Sequence, residues 1–186
     1  ISICVGKKGI GTQEVTVQIL GDSFVNGAFF RDALLSKNYI PGIKLVGLRN
    51  IKNEEGQYDE GRGGWTVKKY FEIPKGEMTS YHGYMQPVGE YRYWGSCEFW
   101  KNCYKVINGE LTDTEIVYDC GRYDQCITKF DKETGYLAAP KKNDLMYDNA
   151  RGSYMVYTGK KWKHVEIDER KWAFNYRKYL DMWNLD

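Results

Sequence analysis

Residues 14–27 read EVTVQILGDSFVNG, and the fold turns on how they are parsed. Val15, Val17 and Ile19 fall on one face of an alternating β-branched run that extends to Leu20, which predicts a half-buried strand. Gly21-Asp22-Ser23 ends the run with turn-forming residues. An amphipathic helix is then expected over Asn26–Lys37, with Phe30, Ala33 and Leu34 at helical spacing. Pro41-Gly42 breaks it, and Ile43–Leu48 supplies a second apolar strand. Strand, helix, strand is a βαβ unit, so the two strands should run parallel with a right-handed crossover. Asn50–Gly64 reads as a polar loop and Trp65–Phe71 as the start of the next helix.

Further along, the texture changes. From about Pro74, short aromatic runs alternate with turn signals at Asn108-Gly109, Thr134-Gly135, Asp148-Asn149, Arg151-Gly152 and Thr158-Gly159. Tyr154–Tyr157 and Trp162–Ile167 are expected to pair as a hairpin around Gly159. A helical pattern returns after Asp168, a candidate N-cap, with Trp172, Tyr176, Tyr179, Leu180 and Trp183 on one face. The expected organisation is an α/β part over 1–74, a β-rich aromatic insertion over 75–167, and a helix returning to the α/β part over 168–186. Two parallel strands with two or three helices fall short of the roughly five strands of an open sheet. The expected α/β sheet is therefore incomplete within this chain.

The composition excludes several classes. Among 186 residues, 27 Lys and Arg face 25 Asp and Glu, a net charge of +2 that gives no electrostatic reason for a nucleic-acid partner. No apolar run approaches the roughly 18–20 residues of a membrane span. The chain opens at Ile1 without a leader pattern, which leaves secreted, periplasmic and cytoplasmic locations open. Its 16 Tyr and 6 Trp suit a β-rich core, and rings such as Trp94, Trp100 and Trp162 could alternatively stack on sugars. Of five cysteines, Cys97, Cys103, Cys120 and Cys126 form two equally spaced pairs, with Cys4 left over. Buried free thiols, two disulfides in any of three connectivities, and a metal site are the alternatives, and the spacing is wide for structural zinc.

Chemistry is most concentrated at Gly21-Asp22-Ser23. A strand feeding this turn and then a helix would set Ser23 at the carboxyl end of a parallel strand, where open α/β sheets place ligands. Its hydroxyl could act as a nucleophile and its backbone N–H could help hold an oxyanion, while an ordinary helix cap explains the same residues without chemistry. Together with Gly27, four residues after the serine, the stretch resembles the first block of the SGNH (GDSL-like) hydrolases. Glu60-Gly61-Arg62-Gly63-Gly64-Trp65-Thr66 is similar to the Gly-rich second block of secreted esterases in that family, at the family's spacing. Thr134-Gly135-Tyr136 and Phe174–Leu180 resemble the segment that leads to the family's third core strand.

This resemblance implies a flavodoxin-like three-layer α/β/α fold with a parallel sheet, Ser23 as nucleophile, and the N–H groups of Ser23 and Gly64 as oxyanion donors. It also implies ester hydrolysis on a small ester or acylated glycan, with no cofactor and no metal. The family's Gly-x-Asn-Asp block is not matched, since Asn143-Asp144 lacks the glycine and the preceding strand. Its Asp-x-x-His block is not matched either: the two histidines, His82 and His164, follow Thr79 and Lys161 at that spacing. The expectation is thus a hydrolase fragment, inactive alone, that self-associates or pairs with a missing C-terminal half. His82 or His164 as an unorthodox base is the less favoured route. A non-catalytic carbohydrate- or protein-binding module built on the aromatic insertion is the alternative function.

Overall fold

The computed structural model describes residues 15–27, 29–36, 43–48, 58–75, 82–107 and 129–185. Strand β1 (Val15–Gln18) runs parallel to β3 (Ile43–Val46), with Val15 opposite Ile43 and Gln18 opposite Val46. Helices α1 (Ser23–Asn26) and α2 (Phe29–Ser36) lie between them, so the expected strand–helix–strand order is present. The single helix expected over Asn26–Lys37 is instead two pieces. The Asp22 carboxylate accepts from the Phe24 N–H at 3.0 Å and starts α1 three residues early. Gly27 closes that turn by donating to the Ser23 carbonyl at 2.9 Å.

The helical face read from the sequence also differs. Phe30 and Ala33 are exposed, whereas Arg31 is fully buried. Arg31 goes inward because acid waits there: its guanidinium lies 3.7 Å from the buried Asp59 and 3.4 Å from Asp32. The stretch read as loop up to Gly64 contains β4 (Glu60–Gly61), which pairs in parallel with β2 (Leu20–Gly21). A 3-10 helix, Val67–Phe71, takes the place of the α-helix expected from Trp65.

The rest of the chain is mixed. Short strands β5 (Met85–Pro87) and β10 (Trp172–Phe174) pair antiparallel. A four-stranded sheet is ordered β6 (Arg92–Ser96), β7 (Asp144–Asp148), β8 (Ser153–Tyr157), β9 (Trp162–Val165). The β6–β7 pair is parallel and the others antiparallel, and β8–β9 is the hairpin expected around Gly159. Helix α3 (Cys97–Ile107) lies inside the span read as β-rich. Its start is marked by Ser96, whose hydroxyl accepts from the Phe99 N–H at 3.2 Å. The last helix, α4 (Tyr176–Trp183), begins later than expected: Asp168 caps only a 3-10 turn at Glu169–Lys171, and Asn175 caps α4.

An aromatic core joins these pieces, running from Leu48, Trp65 and Tyr70 through Trp94 and Trp100 to Tyr179 and Trp183. Trp100 is 1% exposed and stacks on Phe130 with centroids 3.9 Å apart. Trp94 is buried too, and the half-buried Trp162 packs on Tyr136 and Tyr157. Trp94 and Trp100 are therefore core residues, which corrects their reading as sugar-stacking rings. Cys97 and Cys103 are buried in this core and neither is part of a disulfide, so the disulfide alternative does not hold for them. Cys4, Cys120, Cys126 and Thr79 lie outside the described residues. Among the described residues no helix is long and apolar enough to cross a membrane, and no group of His, Cys, Asp and Glu could hold a metal.

Candidate functional site

The parallel register of β2 on β4 sets Leu20 opposite Glu60 and Gly21 opposite Gly61. Two segments about 40 residues apart in sequence thereby become neighbouring turns. The Glu60 N–H donates to the Ile19 carbonyl and the Arg62 N–H to the Gly21 carbonyl, each at 2.9 Å. On one side the chain leaves β2 through Asp22 into α1, where Ser23 is exposed as the first helical residue. On the other it leaves β4 through an exposed turn at Gly63-Gly64.

Gly64 holds φ at +72°, in the region that disfavours residues with a Cβ. A Cβ there would meet no atom within 4 Å, so the glycine serves backbone conformation and not close packing. Its turn is fastened by the Trp65 N–H donating to the Arg62 carbonyl at 3.2 Å.

Below the two turns lies a buried polar network that the sequence did not reveal. Glu60 is fully buried, and one carboxylate oxygen accepts from the Leu48 N–H at 2.6 Å and from the Tyr179 hydroxyl. Its other oxygen lies 3.1 Å from the buried Arg62 guanidinium. The Tyr70 hydroxyl reaches the Glu60 carbonyl at 2.6 Å and the Gly21 carbonyl at 2.9 Å, tying both turns to the 3-10 helix. Burial and the Glu60 charge push the Tyr179 hydroxyl well above its ordinary range, so it remains a donor. These residues hold the turns in register; they do not themselves face solvent.

Neither histidine is assembled with Ser23 in a catalytic pair. His82 is fully buried, its Nε2 lies 3.0 Å from the Glu72 carbonyl, and its Nδ1 accepts from the Tyr84 N–H at 3.2 Å. That pattern assigns a neutral ring with the proton on Nε2. Burial, with a smaller contribution from Arg62, lowers its pKa to about 3. Both ring nitrogens are spent on backbone, so the unorthodox base reading fails for His82. His164 is an exposed residue of the outer strand β9, opposite Met155. Asn143 and Asp144 serve the four-stranded sheet: Asp144 accepts from the Trp94 indole at 2.9 Å and from the Arg92 guanidinium at 2.7 Å.

The His82 environment predicts a pH effect. A folded-state pKa near 3 against 6.5 unfolded means that the unfolded chain binds the extra proton first. The contribution is complete above about pH 6.5 and is lost as pH falls, by about 2 kcal/mol between pH 7 and pH 5. Urea midpoints across that interval should show the decline, and His82→Gln should flatten it. A wild-type midpoint independent of pH would contradict the burial of a neutral His82.

Beside Gly21 and Asp22 opens a cleft of about 560 Å³, lined by Leu20, Trp65, Thr66, Val67, Tyr70, Phe71 and Phe174. Phe174 comes from β10, a strand the sequence pattern did not announce. It stacks on Tyr84 at 5.2 Å and packs on Phe71 at 5.1 Å. A larger cleft of about 820 Å³ lies between the four-stranded sheet and α4, lined in part by Arg92, Trp94, Lys129 and Lys178. Its cations are largely spent on the fold: Lys178 donates to the carbonyls of Pro87, Gly89 and Tyr91, and Lys129 to that of Met182. No protein-family model, curated protein or solved structure matches the chain.

Proposed function

We propose that the chain carries the nucleophile side of a serine ester hydrolase resembling the SGNH (GDSL-like) family. The observation that supports this reading is the parallel pairing of β2 with β4, which brings the Gly-Asp-Ser turn beside the Gly63-Gly64 turn, with Gly21 and Asp22 of the first turn lining a cleft. In this reading β1, β3 and the β2–β4 pair belong to a flavodoxin-like three-layer α/β/α sheet. Residues 75–167 are its insertion and 168–186 return to it.

The Ser23 hydroxyl attacks the ester carbonyl carbon and loses its proton to a general base. The N–H groups of Ser23 and Gly64 stabilise the tetrahedral oxyanion. The carbon–oxygen bond to the leaving alcohol breaks, the alcohol takes up that proton, and water then releases the acid from Ser23. Asp22 shapes the turn through its bond to Phe24 and is not the acid of the triad. His82 cannot supply the base, and the reading takes both the base and the Asn oxyanion donor from outside the described residues. The substrate is a small ester or an acylated glycan, no cofactor takes part, and export to the cell exterior or periplasm suits such a substrate.

Ser23→Ala in the intact natural polypeptide should lower ester turnover by at least a thousandfold while leaving the unfolding free energy within about 0.5 kcal/mol, since Ser23 is exposed. Unchanged turnover would refute the assignment.

A further inference from the structure

We infer that the cleft beside Gly21 and Asp22 takes an uncharged apolar acyl chain longer than acetyl, leaving any sugar of the substrate outside it; this rests on Ser23 being the nucleophile. Its volume of about 560 Å³ lies within the roughly 300–1,000 Å³ of small-molecule sites and is far more than an acetyl group needs. The walls are Leu20, Val67, Phe71 and Phe174 with the ring of Trp65. Val67 and Phe71 are 76% and 54% exposed, so this apolar surface is open to a ligand.

Polar groups are few. The Tyr70 hydroxyl is already directed at the Gly21 and Glu60 carbonyls. That leaves the Thr66 hydroxyl, the Trp65 indole edge and the Asp22 carboxylate, too few to satisfy a sugar ring whose hydroxyls lose water on entry. An alkyl chain needs no such partners and gains from every methylene it buries. The position of Asp22 adds a charge rule. A neutral ester enters beside it without penalty, whereas the carboxylate product meets a like charge at the solvent-facing edge of the cleft. The same residue that shapes the Ser23 turn would therefore favour departure of the acid.

The test is binding, read by NMR at the Trp65 indole N–H and assigned with Trp65→Phe, using methyl butyrate, methyl hexanoate, sodium hexanoate and cellobiose. Affinity should rise about fourfold per added methylene, the equivalent of about 0.8 kcal/mol. Methyl hexanoate should bind severalfold tighter than hexanoate at pH 7, and cellobiose should leave the signal unmoved. Val67→Ser and Phe71→Ser, both at exposed positions, should each weaken methyl hexanoate severalfold without unfolding the protein. Equal affinity along the ester series, or a response to cellobiose alone, would overturn the inference. Chain-length-dependent binding in a protein whose Ser23 resists a fluorophosphonate would instead refute the hydrolase reading and leave the apolar cleft standing.

Discussion

Glu60→Ala should destabilise the protein by about 3–5 kcal/mol, enough to consume most of the stability of an ordinary domain. Glu60 is fully buried and answers three donors at once: the Leu48 N–H, the Tyr179 hydroxyl and the Arg62 guanidinium. Deleting it removes the carboxylate 3.1 Å from the buried Arg62 guanidinium and leaves the buried Leu48 amide without its acceptor, each costly by itself. Glu60→Gln keeps the shape and the acceptor oxygen and should cost less than Ala. Urea denaturation of the two variants checks this order. A Glu60→Ala protein as stable as the wild type would show that the network beneath the two turns is misplaced.

Gly135→Ala should cost about 3 kcal/mol or more, because two penalties coincide. The residue holds φ at +71°, where a Cβ is strained, and that Cβ would overlap the Cys97 carbonyl at the start of α3. The turn around it has little freedom to yield. Asp131 accepts from the Glu133 and Thr134 amides and the Thr134 hydroxyl, while the Gly135 N–H donates to the Asp131 carbonyl at 2.7 Å. Relief would require the turn to lift away from α3. A variant with an unchanged thermal midpoint would mean that the Thr134–Tyr136 turn does not rest on that helix.

What the sequence made legible is what depends on neighbours along the chain. The alternation at Val15, Val17 and Ile19 and the apolar Ile43–Val46 run announced β1 and β3, and their parallel pairing followed from the helix between them. The β8–β9 hairpin was legible for the same reason, from aromatic runs flanking Gly159. Strands of two or three residues carry no period, so the β2–β4 pair and β10 were invisible, although they build the candidate site. Helix α3 was hidden because Phe99, Trp100 and Cys103 read equally well as an aromatic strand, and the Ser96 cap was its one local signal.

Buried charges were the least legible. Arg31, Glu60 and His82 are polar letters whose burial depends on Asp59, Tyr179 and Glu72, partners set by tertiary pairing. For the candidate site, Ser23 was named from its turn and Gly64 from the resemblance of its segment, whereas Val67, Phe71 and Phe174 became cleft residues only once β10 met the 3-10 helix.

The proposed chemistry stands on Ser23 being an activated nucleophile. The most direct measurement is to treat the intact natural polypeptide with a fluorophosphonate and locate the adduct by peptide mass spectrometry. One phosphonylated residue, Ser23, is expected, with labelling abolished in Ser23→Ala. Label on another serine, or none under conditions that label a known serine esterase, would contradict it.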